Sequence, residues 1–108
     1  MWKELRHRQE IDNIITASEN KPQVIFKHST RCNTSILAKH RIEKNFAGND
    51  IDFYLLDLIQ HRDLSNKIAD MFGVYHESPQ VLLIKNGECI YDESHLGINM
   101  DELIEQAL

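Results

Sequence analysis

The chain is short of several things, and each shortage excludes something. No run of 18 or more apolar residues occurs, the minimum for a membrane-spanning helix. The opening residues, Met1-Trp2-Lys3-Glu4-Leu5-Arg6, lack the basic-then-apolar layout of a secretory signal, so a cytoplasmic location is expected. Cysteine is scarce, with two in 108 residues. In a reducing compartment such a pair is expected to be free or catalytic rather than a structural bridge. Positive charge is neither abundant nor massed. Twelve Lys and Arg stand against 17 Asp and Glu, a formal net charge of −5, which argues against a nucleic-acid partner. Internal repeats, low-complexity segments and linkers are also missing.

What remains describes an ordinary globular chain. Its length fits a single domain spanning residues 1–108, large enough to bury a core without disulfide or metal staples. Six histidines raise the question of a metal. His28-x-x-x-Cys32 offers two ligands, whereas zinc sites take three or four. His40, His61, His76 and His95 show no ligand spacing, so no metal site is expected.

One stretch carries chemistry: Val24-Ile25-Phe26-Lys27-His28-Ser29-Thr30-Arg31-Cys32-Asn33-Thr34-Ser35. It reads as a buried strand, a polar turn, one cysteine and a helix. A free cysteine is more often inert core filler. A cysteine in the first turn of a helix, however, meets unpaired N–H groups and the positive end of the helix dipole. Such surroundings favour the thiolate, the nucleophilic form, and Arg31 adds a permanent cation. Ser35 stands where a Cys-x-x-Cys pair would have its second sulfur. It is either a hydrogen-bond donor to the thiolate or a small residue where a helix packs closely.

Periodicity orders the rest. Trp2 to Leu5 is a candidate short edge strand. Ile11, Ile14 and Ile15 predict a helix from about Gln9 to Ser18, broken by Glu19-Asn20-Lys21-Pro22. Gln23 to Lys27 suits a central strand. Ser35, Ala38, Ile42 and Phe46 share one face of a helix from about Asn33 to Phe46, ended by Gly48-Asn49-Asp50. Ile51 to Leu58 reads as a second buried strand. Asp63 or Ser65 is a candidate cap for a helix carrying Leu64, Ile68 and Met71/Phe72, with Gly73 at its C-terminal end. Val81 to Ile84 and Glu88 to Tyr91 form a hairpin about Asn86-Gly87. Asn99-Met100-Asp101-Glu102 opens a last helix. Strand–helix alternation followed by a hairpin and helix predicts an α/β fold, a mixed central sheet of four to five strands with helices on both faces.

This order, with Ser78-Pro79 before Val81-Leu82-Leu83-Ile84 and Leu96-Gly97 before the last helix, resembles the thioredoxin fold. The resemblance implies a cis peptide at Pro79, facing Cys32. The run Phe26-Lys27-His28-Ser29-Thr30-Arg31-Cys32 with Ser35 is similar to the Lys-His-Ser-Thr-x-Cys-Pro-x-Ser motif of the monothiol bacilliredoxins. It departs from that motif at Asn33, where the family has Pro, a position that bears on thiolate stability and partner approach.

The family resemblance implies a monothiol thiol-disulfide oxidoreductase that removes bacillithiol from S-bacillithiolated cytosolic proteins. Bacillithiol is then a co-substrate, no resident cofactor is expected, and the protein is a monomer or weak dimer. Catalysis is assigned to Cys32, with Arg31 and Ser35 supporting it. Thr30, Asn33, Ser78, Pro79 and Gly97 are expected to line the substrate cleft, Ser78 through its backbone. Lys27 is read either as a contact for a substrate carboxylate or as a strand residue whose ammonium reaches solvent. Cys89, two residues past the hairpin turn, should lie on the order of 10 Å or more from the Pro79 level, too far to resolve Cys32 through a disulfide. Two other readings stay open: a thioredoxin-fold adaptor without catalysis, and a cluster carrier like the monothiol glutaredoxins.

Overall fold

The computed structural model describes residues 1–46 and 50–108. The elements are β1 (Trp2–Glu4), α1 (Arg8–Ala17), β2 (Gln23–His28), α2 (Asn33–Lys44), β3 (Asp52–Asp57), α3 (Arg62–Phe72), β4 (Gln80–Lys85), β5 (Glu88–Ser94), a 3₁₀ turn (His95–Gly97) and α4 (Met100–Ala107). One sheet runs in the order β1-β3-β2-β4-β5. β1, β3 and β2 are parallel, and β4 and β5 run antiparallel to their neighbours. β2 lies at the centre, and all six of its residues are buried, as expected where helices cover both faces.

Alternation along the strands sorts the core into two layers. Val24, Phe26, Phe53, Val81 and Leu83 pack with Ala38 and Ile42 of α2 and Leu103 and Ala107 of α4. Ile25, Leu56, Leu82 and Ile84 face the other way, onto Ile11 and Ile14 of α1 and Ile68 of α3. The hairpin turn places both Asn86 and Gly87 at positive φ, 52° and 79°, the conformation an Asn-Gly two-residue turn adopts. Asn99 caps α4, its side chain accepting from the Glu102 amide at 2.8 Å.

Two helix ends differ from expectation. The cap of α3 is His61, not Asp63 or Ser65. Asp63 lies within the first turn, and Ser65 is fully buried and committed elsewhere. α2 stops at Lys44, so Phe46 lies beyond it, yet Phe46 still packs edge-to-face on Phe53 at 5.5 Å. The stop expected at Gly48-Asn49 lies outside the described residues. None of the described helices is long and apolar enough to cross a membrane.

Candidate active site

β2 and β4 are in antiparallel register, with Lys27 opposite Gln80. One step beyond that pair come His28 on β2 and Pro79 before β4. The Ser29–Cys32 turn and the Ser78–Pro79 peptide, which is cis, therefore leave the sheet at the same edge. The 3₁₀ turn joins them there. The His95 amide donates to the Pro79 carbonyl at 3.0 Å, and the Arg41 guanidinium of α2 donates to the Leu96 carbonyl at 3.2 Å.

Cys32 is the N-cap residue of α2, with extended backbone (φ −109°, ψ 118°). Its amide donates to the Ser29 carbonyl at 3.2 Å, and its carbonyl accepts from Ile36 at 3.0 Å. The thiol is free and half-buried. Arg31 is exposed beside it, and Asn33 is the exposed first residue of the helix. Asn supplies a backbone N–H at this position where Pro would not, and the helix starts there regardless.

Beneath the turn, Ser35 is fully buried. Its hydroxyl accepts from the Ser29 amide at 3.0 Å and pairs with Nδ1 of His28 at 2.6 Å. The polar reach of Ser35 is thus used to seat α2 on β2 and fix the turn, not to contact the sulfur. His28 is 5% exposed and stacks on Phe26 at 5.5 Å. Burial first, then Lys39, lowers its pKa, while Asp57 and Glu43 pull it back. The ring is therefore neutral at pH 7.

Two clefts flank this turn and share His28, Thr30 and Leu55. One, of about 260 Å³, is bounded by Asp57, Gln60 and His61. The other, of about 390 Å³, is bounded by Ile36, Lys39 and His40. A larger cavity of about 440 Å³ opens at the hairpin-turn end of the sheet, beside Lys85 and Asn86. Among the described residues that line it there is neither cysteine nor histidine.

A half-buried thiol on a helix start, level with a cis proline, is the arrangement of a thiol-exchange enzyme. The model of the family described as "Monothiol bacilliredoxin BrxC" matches residues 3–103. The chain belongs to the monothiol bacilliredoxin family. It is a thiol-disulfide oxidoreductase of thioredoxin fold, and its partners are thiols and disulfides. Among solved structures, this bacilliredoxin is similar to a protein described as a candidate oxidoreductase with a thioredoxin fold. The two are 34% identical over 97% of this chain and 92% of that one, with a TM-score of 0.85. A mutant thioredoxin from Halobacterium salinarum matches 98% of this chain and 87% of its own at 17% identity, TM-score 0.75. The thioredoxin of Malassezia sympodialis covers 100% and 92% at 15% identity, TM-score 0.77. These last two speak to the fold alone.

Of the residues singled out in the bacilliredoxin sequence, Thr30, Arg31, Cys32, Asn33, Ser78, Pro79 and Gly97 gather at the thiol edge. Gly97 is exposed; a Cβ there would stand 2.7 Å from the Glu93 carboxyl carbon. Glu93 is in turn held by the Ser94 amide at 2.9 Å. Lys27 requires a correction. It neither reaches solvent nor is placed to meet a substrate carboxylate, because it is 0% exposed. It alternates with Phe26 and His28, so it faces α3, where Ser65 and His76 cover it. Cys89 sits at the far, turn end of the sheet, paired with Ile84. Its Sγ donates to the Tyr91 carbonyl at 3.3 Å, and burial pushes the thiol up to about 11.

Sequence reasoning missed His28 and His76. His28 could have been found from strand alternation, which puts it on the face of Phe26 and under the helix. His76, an isolated loop histidine, gives no such signal.

Proposed function

We propose that this bacilliredoxin removes bacillithiol from protein mixed disulfides in the cytoplasm. The Cys32 thiolate attacks the bacillithiol sulfur of a protein–S–S–bacillithiol adduct. The sulfur–sulfur bond breaks, the protein thiolate leaves with the electron pair, and Cys32 carries bacillithiol as a new disulfide. A free thiol of the same kind then attacks that disulfide, departs as the symmetric disulfide and restores Cys32.

The carrying observation is the solitude of the Cys32 sulfur. It is half-buried on the helix start, Ser35 occupies the fourth motif position with its hydroxyl engaged, and Cys89 is held at the opposite end of the strands. A dithiol enzyme would resolve its own mixed disulfide; this one hands resolution to a second molecule. The N-terminus of α2 and the Arg31 guanidinium supply positive potential at the sulfur. Arg31 also suits an acidic thiol, and bacillithiol carries a malate group; Lys39 in the adjoining cleft is paired with Glu43 at 2.8 Å.

The test is turnover. A bacillithiolated protein is incubated with free bacillithiol and catalytic amounts of the wild type, and release of its thiol is followed. Multiple turnovers, abolished in Cys32→Ser, support the reading. Release no faster than with bacillithiol alone would leave the fold serving as an adaptor.

A further inference from the structure

On the face of β2 opposite His28, five residues before Cys32, the Lys27 side chain is completely enclosed. Its ammonium donates to the Ser65 carbonyl at 3.3 Å and to Nδ1 of His76 at 3.3 Å. The Ser65 hydroxyl stands 3.1 Å from the same ring nitrogen, and the Arg62 guanidinium 3.5 Å from Nε2. Among the described residues no carboxylate pairs with Lys27. A buried charge without an opposite one is costly, and burial draws the Lys27 pKa from 10.5 down to about 8. His76 is lowered as well, by burial first and then by Lys27 and Arg62, with Glu77 opposing. Its ring is accordingly the neutral acceptor that the ammonium needs. A methionine would fill the same space without that cost.

What the charge holds is the segment that carries the cis proline. His76 lies two residues before Ser78. Lys27 and Gln80 are a cross-strand pair, so their side chains share a face. Gln80 Nε2 donates to the Tyr75 carbonyl at 3.0 Å, while Lys27 holds His76. One cross-strand pair thus pins two consecutive residues of the loop that delivers Ser78 and Pro79 to the thiol edge. We propose that Lys27 and His76 are positioning residues for thiol exchange: their contact fixes the backbone at Ser78, so that an extended segment of a protein disulfide docks alongside Cys32. The inference rests on exchange at Cys32 and not on which small thiol is transferred. Main-chain docking of an extended peptide gains from donors and acceptors set in place beforehand. A small disulfide has no main chain to dock and does not need them.

Two probes with one leaving group separate these cases. The first is Ellman's reagent, the symmetric disulfide of nitrothiobenzoate. The second is an extended peptide whose cysteine carries the same nitrothiobenzoate. In each, the Cys32 thiolate forms a new disulfide and nitrothiobenzoate departs with the electron pair, which the absorbance reads. Lys27→Met and His76→Leu should each slow the peptide reaction about tenfold, while the reaction with Ellman's reagent stays within about twofold of wild type. His76→Asn, which returns an acceptor near the place of Nδ1, should recover the peptide rate to within about threefold. Lys27→Met should melt at or above the wild-type temperature. Equal losses with both probes, an unchanged peptide rate, or His76→Asn behaving like His76→Leu would overturn the proposal. A wild-type Cys32 inert to Ellman's reagent would overturn the exchange reading and this one with it.

Discussion

The hydroxyl of Ser35 stands 2.6 Å from Nδ1 of His28 and 3.0 Å from the amide nitrogen of Ser29, below the turn that presents Cys32. Replacing Ser35 by Ala strands a buried ring nitrogen and a backbone N–H. A loss of about 1–3 kcal/mol follows from leaving such groups unpaired, to be read from urea unfolding midpoints. Because the hydroxyl is engaged with β2 and not with the sulfur, the reaction of Cys32 with a small disulfide should change by less than about threefold. A large rate loss with no stability loss would reverse this assignment and make Ser35 a partner of the thiolate.

Lys27 makes a prediction about alkaline stability. Its pKa falls from 10.5 when exposed in the unfolded chain to about 8 when buried. Between those values the unfolded chain holds the proton and the folded chain has lost it, so this group makes stability rise with pH across the window. Below pH 8 the penalty of the buried charge is fully present; above 10.5 it is gone. Lys27→Met carries no such group. Its stability advantage over wild type should be greatest near pH 7, up to about 3 kcal/mol, and should shrink as pH rises towards 10.5. Taking the difference between the two proteins cancels the opposing effects of Cys89 and Tyr91, whose pKa values burial raises in both. A gap that does not depend on pH would show that Lys27 stays protonated throughout.

Cys89 is predicted to be a bystander. Burial pushes its thiol up to about 11, and its Sγ donates to the Tyr91 carbonyl at 3.3 Å. Iodoacetamide at neutral pH should therefore modify Cys32 and spare Cys89. Cys89→Ser should retain exchange activity within about twofold. Mass mapping after brief alkylation and turnover assays of the variant check the two statements. Loss of turnover in Cys89→Ser with the fold intact would mean that the enzyme is not monothiol in operation.

The architecture was legible because each element carries its own signal. Ile11 and Ile14 keep helical spacing, the run Gln23 to Lys27 suits a central strand, and Asn86-Gly87 names its turn. The position of Cys32 at a helix start followed from the same local pattern. Less legible was what each polar side chain touches. Lys27 reads either as a contact for a substrate carboxylate or as a strand residue whose ammonium reaches solvent, and only the β2–β4 register together with the packing of α3 shows that it is enclosed. His76 and Ser65 meet it from residues 49 and 38 positions away, a separation over which no sequence period applies. The cap of α3 was misplaced for a related reason. Asp63 and Ser65 are favourable cap residues in isolation, but α3 begins one residue before Asp63 and draws Ser65 into the core.

The central claim is that one sulfur, Cys32, accepts bacillithiol from a protein disulfide. It is tested most directly by intact-mass spectrometry after a single-turnover mixture of enzyme with an S-bacillithiolated protein, without free bacillithiol. The account predicts that the mass of one bacillithiol moves from the client to the enzyme, maps to Cys32, and is absent from Cys32→Ser. A client that keeps its adduct, or an adduct that arrives on Cys89 instead, would contradict it.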